Sequence, residues 1–230
     1  MMRLEQVVPW GRSLSEYQAM FGLTEADLGR SILDCGSGPA SFNAEMTQQG
    51  KTVLSCDPVY QFSAEQIADR IAATRPKIIE AVNANTEKYV WDGIGTIDDL
   101  IQLRMTAMTQ FLSDFPSGLA DGRYRAESLP SLPFTDRQFS LAISSHLMFT
   151  YSEQLDLDFH RQAIDELCRV ADEVRIFPLV LNMTGERSEH LPPILEHLQD
   201  QNRTAEIQTV PYQFQRGGNQ MLRIQNVTKI

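Results

Sequence analysis

The stretch of residues 31–57 constrains the fold more than any other part of this sequence. The apolar run Ser31–Cys35 predicts a short buried strand that leads into a turn beginning at Gly36. The residues that follow predict a helix at 41–49 and a second buried strand at 51–56. A strand, a glycine turn, a helix and a second strand make a βαβ unit, whose strands are parallel and whose crossover is right-handed. The chain is therefore predicted to fold around a parallel sheet.

Strands and helices continue to alternate along most of the remaining sequence. An amphipathic helix is predicted at 10–28, and the later elements are strands at 124–127, 139–145 and 173–177, helices at 155–170 and 193–200, and a closing hairpin of 205–214 with 221–227 around Arg216–Asn219. This pattern predicts an α/β fold with a mostly parallel sheet that closes with an antiparallel hairpin of strands 6 and 7.

One segment, residues 63–119, interrupts the alternation. It contains no strand pattern and predicts helices at 64–74, 78–91 and 96–114. A parallel sheet needs only one crossover helix between neighbouring strands, so about 30 residues are inserted after strand 2. We predict a single domain of residues 1–230 in which the helical insertion (residues 63–119) covers the functional edge of the sheet.

Composition excludes several classes of function. A hydrophobic content of 42% suffices for a core. The formal net charge of −10 argues against a protein that binds duplex nucleic acid, because such a protein needs a basic face. No apolar run approaches the roughly 20 residues that span a bilayer, and the first residues lack the apolar stretch of a signal peptide. The cysteines show no CxxC spacing and the histidines no HxxxH pair, so we predict neither disulfides nor a metal site. A cytoplasmic protein with no nucleic-acid or membrane partner is expected.

The glycine turn is the first candidate for a ligand site. Ligands of such sheets bind beyond the carboxyl ends of the strands, beside the first one. Gly36 and Gly38 allow a ligand to approach the backbone closely. Nineteen residues after Gly38, Asp57 ends the second strand, where it can accept hydrogen bonds from a ribose diol. The alternative is a purely structural turn in which Asp57 caps a helix that begins at Pro58.

Two cofactors that contain adenosine, NAD and S-adenosylmethionine, fit this spacing, and they differ in the charged groups that they carry. A dinucleotide places its pyrophosphate on the helix N-terminus, where a third small residue lets the helix sit close, but Ser41 stands there. S-adenosylmethionine has no phosphate and carries an ammonium and a sulfonium. The acidic residue Asp34 next to the turn suits these cations. The residues therefore favour S-adenosylmethionine over NAD.

Residues 31–60 and 123–178 resemble the class I S-adenosylmethionine-dependent methyltransferases. The run Ile32–Gly38 is similar to the first motif of that family, and Asp57 matches its ribose-binding acid. The closing hairpin resembles the family's reversed last strand. Two departures are Ala40, where a third glycine is common, and 170–173, which lacks the usual Gly-Gly pair.

The resemblance implies a Rossmann-like fold, S-adenosylmethionine as the cofactor, and methyl transfer. The segment 126–134 resembles the one that reaches the adenine, so either Glu127 or Ser128 would meet it. The cofactor-binding residues that it implies are Asp34, Gly36, Ser37, Gly38, Asp57, Pro58, Glu127, Ser128 and Ser144.

Two residues that follow strand 4 are candidates for catalysis. His146 comes directly after the strand, where its imidazole could act as a general base or orient the acceptor. Tyr151 could do the same through its hydroxyl. The alternative for His146 is a ring that is merely packed, or one whose backbone alone is used.

Two arginines are candidates for binding anions. Arg12 precedes the first strand and could meet the methionine carboxylate of the cofactor, or it could belong to an amphipathic helix on the sheet. Arg104 interrupts the apolar stripe of the insertion. It is either an edge residue whose head reaches water, or a binder of an anionic acceptor beneath a lid.

The sequence thus predicts a methyltransferase that uses S-adenosylmethionine and acts on a small molecule. The acceptor is not a DNA base, because Ser144 to His146 do not supply an amide-plus-proline clamp after strand 4. The alternative function is a protein of the same fold that binds S-adenosylmethionine or S-adenosylhomocysteine without catalysis.

Overall fold

The strands of the computed structural model, which describes residues 10–182 and 184–226, are β1 Ile32–Cys35, β2 Val53–Cys56, β3 Tyr124–Arg125, β4 Leu141–Ser145, β5 Glu173–Phe177, β6 Thr204–Thr209 and β7 Gln220–Gln225. They form one sheet in the order β3-β2-β1-β4-β5-β7-β6. Strand β7 is antiparallel to both of its neighbours, and every other pair is parallel. The predicted sheet with its reversed last strand is confirmed.

Helices cover both faces of this sheet. They are α1 Leu14–Phe21, α2 Glu25–Leu28, α3 Phe42–Gln48, α4 Ala64–Asn83, α5 Ile97–Ala120, α6 Leu157–Val170 and α7 Leu191–Asp200. Side chains alternate along β1, so that Ile32 packs with α1 and α3 whereas Leu33 packs with α6 and α7. Because helices cover both faces, the central strands β1, β4 and β5 are buried along their whole length, as parallel strands usually are.

The predicted helix at 10–28 is two helices. Ser13 caps α1 in a capping box with Glu16, but α1 ends at Gly22, whose φ of 57° lies in the left-handed region. Thr24 then caps α2. The prediction of one helix was wrong because the apolar spacing continues across the break.

The insertion is confirmed, but two of its predicted helices are one. Helix α4 runs through Pro76, although proline removes a backbone donor and normally ends a helix. In the first half of α4, Ile67 packs against the second half of α5. In the second half of α4, Val82 packs against the start of α5. Both halves are therefore held on one partner helix, and α5 then leads into β3.

In the closing hairpin, strand β6 is shorter and the loop is longer than predicted, and Val227, the last residue of the predicted second strand, lies outside the described residues. Strand β6 ends at Thr209, and residues 210–219 form a loop that contacts the insertion. The Val90 amide donates to the Phe214 carbonyl oxygen at 2.7 Å, and the rings of Tyr89 and Phe214 stack at 4.6 Å. Phe214, the last residue of the predicted strand, therefore pairs with the insertion and not with β7.

This contact joins opposite halves of the sheet. The insertion leaves the sheet after β2, whereas the loop 210–219 connects β6 and β7 at the other end of the strand order. Because β6 runs in the same direction as β5, the loop begins at the carboxyl edge of the sheet. The contact therefore spans that edge.

Two further features concern the whole chain. Cys35, Cys56 and Cys168 are free and buried, and the first two are register partners on β1 and β2. Within the described ranges, none of the helices combines the length and the apolar character that crossing a bilayer requires.

Candidate functional site

The glycine turn follows β1 at the carboxyl edge of the sheet. The φ angles of Gly36 and Gly38 are 73° and 52°, which L side chains rarely adopt. A Cβ at Gly36 would stand 2.7 Å from Leu147 Cδ2, so a side chain there would displace Leu147 in addition to straining the backbone. The Cβ position of Gly38 has no atom within 4 Å. The turn thus presents backbone to open space where a ligand is expected.

Asp57 holds this turn in place. The Gly38 amide donates to Asp57 Oδ2 at 2.8 Å, and the Val59 amide donates to Asp57 Oδ1 at 2.8 Å. Asp57 therefore caps the short 3₁₀ helix Pro58–Gln61, as the structural alternative expected. Burial raises the pKa of its carboxyl group. Each carboxylate oxygen keeps a second lone pair, so a ribose hydroxyl can still donate to it.

Asp34 is fully buried beneath the turn. The Tyr17 hydroxyl donates to Asp34 Oδ2 at 3.2 Å, and the Ser37 hydroxyl donates to the main-chain oxygen of Asp34 at 3.0 Å. Burial raises the pKa of Asp34 to about 8, although the hydrogen bond from Tyr17 opposes this shift. The carboxyl group is therefore mostly protonated at pH 7, and an approaching cation would favour its ionised form.

The two candidates for adenine recognition follow β3. The Glu127 carboxylate lies 3.5 Å from the Arg125 guanidinium and is partly exposed, and Ser128 is exposed. The choice between them stays a prediction. Ser144 is different, because its side chain is fully buried inside β4 and its hydroxyl has no partner. Contact between Ser144 and a cofactor would have to come from its main chain.

His146 lies where β4 ends and is held at two points. Its φ of 52° is unusual for a residue other than glycine. The Ser145 hydroxyl lies 2.8 Å from His146 Nδ1, and the His146 amide donates to the Phe177 carbonyl oxygen at 2.7 Å. Burial lowers the pKa of His146 well below its usual value, and the positive charge of Arg12 adds to the shift. The imidazole is therefore neutral at pH 7.

Ser145 is a site residue that the sequence analysis did not identify. It occupies Nδ1, so that the other ring nitrogen of His146 is the one left for a ligand. A serine beside a histidine is too common in sequences to single out this pair. The left-handed backbone of His146 and the contact of its ring with Ser145 are not visible in the sequence.

Arg104 is buried, and the interpretation of it as an edge residue was wrong. Its side chain is 0% exposed, and its two terminal nitrogens lie 2.6 and 2.7 Å from the Glu16 carboxylate oxygens. The Tyr212 hydroxyl donates to Glu16 Oε1 at 3.0 Å. Burial is the largest single influence and would raise the pKa of Glu16, but the charge and hydrogen bond of Arg104, the charge of Arg12 and the hydrogen bond from the Ser13 amide together lower that pKa. This ion pair joins α5, α1 and the loop 210–219.

Arg12 lies beside this ion pair, where Tyr212 and the charge of Glu16 stabilise its guanidinium, but it forms no ion pair of its own with the described carboxylates. Its main-chain oxygen accepts from the Ser41 amide at 3.0 Å, which fixes the segment onto the glycine turn. Its Nη1 donates to the Trp10 carbonyl oxygen at 3.2 Å, whereas its Nε is buried without a partner. Burial lowers the pKa of Arg12, and the like charge of Arg104 acts in the same direction.

Tyr151 is not placed with these residues. It ends the short 3₁₀ helix Phe149–Tyr151 and packs against the core on the side of α6 and α7. His146, by contrast, is influenced by Arg12 and Arg104 on the side of α1. In the described part of the chain, no three His, Cys, Asp or Glu side chains come together in a group that could hold a metal ion.

The sheet order with β7 alone reversed, the glycine turn after β1 and the acid that ends β2 define the class I methyltransferase fold. No protein-family model matches the chain. The chain belongs to the same family as the uncharacterized protein MJ0045 of Methanocaldococcus jannaschii, with which it is 32% identical over 226 residues, 97% of this chain and 98% of that protein.

Similar solved structures are more distant. One is magnesium protoporphyrin IX methyltransferase (ChlM) from Synechocystis PCC 6803 with bound SAM, at 13% identity and a TM-score of 0.45, covering 86% of this chain and 70% of that one. Another is a SAM-dependent methyltransferase from Aquifex aeolicus, at 15% identity and a TM-score of 0.42, covering 91% and 90%. A third is a putative S-adenosyl-L-methionine-dependent methyltransferase from Methanococcus maripaludis, at 12% identity and a TM-score of 0.47, covering 94% and 84%.

Proposed function

We propose that this protein is an S-adenosylmethionine-dependent methyltransferase that acts on a small molecule. The observation that carries the proposal is the glycine turn, which Asp57 ties to β2 and which faces open space at Gly38. The residues that would hold the cofactor are Gly36, Ser37, Gly38, Asp57, Pro58 and either Glu127 or Ser128, with Asp34 beneath them.

The chain's own contribution to the reaction is positioning. When bound, S-adenosylmethionine supplies a methyl group that is already activated on a sulfonium. The side chains need to hold the acceptor atom in line with that methyl and to exclude water, and such positioning supplies much of the rate. His146 is the candidate base: its neutral imidazole can accept a proton from a hydroxyl or ammonium acceptor.

The insertion serves in this proposal as a cover over the carboxyl edge. Its support is the contact of the Val90 amide with Phe214 and the buried pair of Arg104 with Glu16. Both connect the insertion to segments on the other side of the glycine turn. A cover of this kind keeps water away from the acceptor.

The test is calorimetric titration of S-adenosylhomocysteine and NAD into the native protein, Asp57→Ala and Asp57→Asn. We expect S-adenosylhomocysteine to bind more tightly than NAD, and Asp57→Ala to cost on the order of 1.5–3 kcal/mol of binding, since a charged acceptor of ribose hydrogen bonds is lost. Asp57→Asn keeps one acceptor and should lose less. Asp69→Ala, which removes an exposed aspartate of α4, is the matched control.

Two results would reject the proposal: tighter binding of NAD, or an unchanged affinity in Asp57→Ala. Melting temperatures of each variant separate lost binding from lost folding, because Asp57 also holds the turn. The alternative of a non-catalytic binding protein is decided by incubation of the protein with S-adenosylmethionine and a heat-inactivated cell extract, where only an enzyme forms S-adenosylhomocysteine above the level in the extract alone.

A further inference from the structure

We propose that Arg12 binds an anionic group of the methyl acceptor, a carboxylate or a phosphate. This inference rests on the proposed function and narrows its substrate class. It concerns a group of side chains at the carboxyl edge that we call the edge cluster: Arg12, Glu16, Arg104, His146 and Tyr212.

The edge cluster carries an excess of positive charge. It contains two guanidinium groups and one carboxylate, and Arg104 already engages both oxygens of Glu16. Glu16 also accepts from Tyr212 and from the Ser13 amide. The ion pairs formed by the described carboxylates do not include Arg12. Arg12 is half-buried, its Nε is shielded from solvent, and it has no ion-pair partner of its own, so an anion brought by a ligand is stabilised here.

The other acids near the turn are occupied. The Asp34 carboxyl group accepts from Tyr17, and Asp57 accepts from the Gly38 and Val59 amides. Arg12 is not among the groups that act on either carboxyl group, so neither is its counter-ion.

The guanidinium of Arg12 has donors to offer. One terminal nitrogen bonds to the Trp10 carbonyl oxygen, while Nε is buried with no partner. A guanidinium presents several N–H groups in a fixed plane, which matches the paired oxygens of a carboxylate or phosphate. The free Nε is the kind of buried donor that native structures rarely leave unsatisfied.

The position of Arg12 assigns this anion to the acceptor rather than to the cofactor. Two members of the edge cluster come from the half of the sheet that holds β4 to β7: His146 follows β4, and Tyr212 lies in the loop 210–219. The cofactor candidates Gly38, Asp57 and Glu127 lie on the half that holds β1 to β3. The charge of Arg12 acts on His146, the candidate base for the acceptor, so its guanidinium lies close to the place where the acceptor is expected.

The cofactor's own methionine carboxylate shares this chemistry, so the experiment must distinguish the two sources. Benzoate is the anionic probe, phenyl phosphate a second anion, and benzamide the neutral control of the same shape. Each is titrated into the native protein with and without saturating S-adenosylhomocysteine. Separate titrations of S-adenosylhomocysteine and of 5′-methylthioadenosine, which lacks the amino-acid part, report on the methionine carboxylate.

The variants are Arg12→Met and Arg12→Lys, with Arg75→Met of the exposed face of α4 as the matched control. We expect at least one of the two anions to bind the protein saturated with S-adenosylhomocysteine, and Arg12→Met to weaken that binding at least tenfold. Arg12→Lys should weaken it less, since it keeps the charge, and Arg75→Met should leave it unchanged. The affinity for S-adenosylhomocysteine should stay within twofold of native in all three.

Two outcomes would overturn the inference. One is loss of affinity for S-adenosylhomocysteine, but not for 5′-methylthioadenosine, in Arg12→Met, which would assign Arg12 to the cofactor. The other is equal binding of the anions to native protein and to Arg12→Met. Failure of S-adenosylhomocysteine to bind the native protein would reject the proposed function alone, because the titrations without it still measure the anion site. Arg12→Lys keeps the test valid if Arg12→Met does not fold.

Discussion

The His146 ring can be tested as a base because its surroundings fix its charge. Burial and the nearby arginines lower its pKa well below the usual value, so the neutral form that accepts a proton is present at pH 7. We expect His146→Gln to lower the catalytic rate by roughly 10²–10⁴, the usual span for general acid–base catalysis. The affinity for S-adenosylhomocysteine should change little.

The pH profile of the rate distinguishes a His146 that acts as a base from one that is only packed. The native rate should rise with pH through an inflection below 6.5 and be level at pH 7, and His146→Gln should remove that inflection. Ser145→Ala is the matched control, because it frees Nδ1 and keeps the ring; its rate should fall less. A variant that keeps its rate and profile but melts at a lower temperature would show that His146 is only packed.

Asp34 links the stability of the fold to pH. Its pKa in the folded protein is about 8, above the ordinary value of 3.8, because of burial. Between these values the folded state binds the proton and the unfolded state does not, so the free energy of unfolding falls as pH rises from about 4 to 8 and levels above it. Urea denaturation at pH 5, 7 and 9 measures the slope. Asp34→Asn, which cannot ionise, should flatten it; an identical slope would contradict the burial argument.

Part of the site could be predicted from the sequence because it is local. Gly36, Gly38 and Asp57 lie in one βαβ unit, whose spacing alone places them at one edge. The pairing of Arg104 with Glu16 could not be predicted, since 88 residues separate them and only the folded chain brings them together. Tyr17 and Asp34, which are 17 residues apart in different elements, are likewise brought together only in the folded chain.

At the scale of elements, local patterns predicted the strands better than the helices. Strand β5 was predicted to the residue, because Glu173–Phe177 alternates polar and apolar residues and is rich in β-branched and aromatic ones, which is typical of a strand. Helix α4 was divided at Pro76, because proline is a helix breaker in sequence and the packing of both halves on α5 is not visible there. Strand β6 was extended too far for the complementary reason: Phe214, at the end of the predicted strand, bonds to Val90 of the distant insertion.

The ion pair of Arg104 and Glu16 connects several elements, and mutation can measure its contribution to the free energy of unfolding. We expect Arg104→Met to lower the free energy of unfolding by about 3–5 kcal/mol, since it leaves a carboxylate buried without its counter-ion. Adding Glu16→Gln to that variant should restore much of the loss. Lys51→Met, which removes an ion pair to the exposed Glu25, is the control, with an expected change below about 1 kcal/mol. Urea denaturation measures all four proteins, and similar losses in Arg104→Met and Lys51→Met would contradict the assignment.

At the scale of the whole molecule, the insertion and the loop 210–219 meet over the carboxyl edge from opposite halves of the sheet. If the insertion is a cover, a bound ligand should hold this contact closed. We expect limited proteolysis within 84–97 to slow when S-adenosylhomocysteine is added, measured by mass spectrometry of the fragments. Cleavage after Lys51, between α3 and β2 at the amino edge, should keep its rate. Equal rates within 84–97 with and without ligand would argue against a cover.

The burial of all three cysteines gives the native chain a practical use. Thiols that solvent does not reach react slowly with labelling reagents, so a cysteine introduced on the surface would be the fast-reacting one. Asp92→Cys in the insertion and Pro211→Cys in the loop 210–219 replace exposed residues on the two sides of the contact. A pair of spin labels or fluorophores at these positions would report the distance across the edge in real time, on a background that needs no prior removal of cysteines.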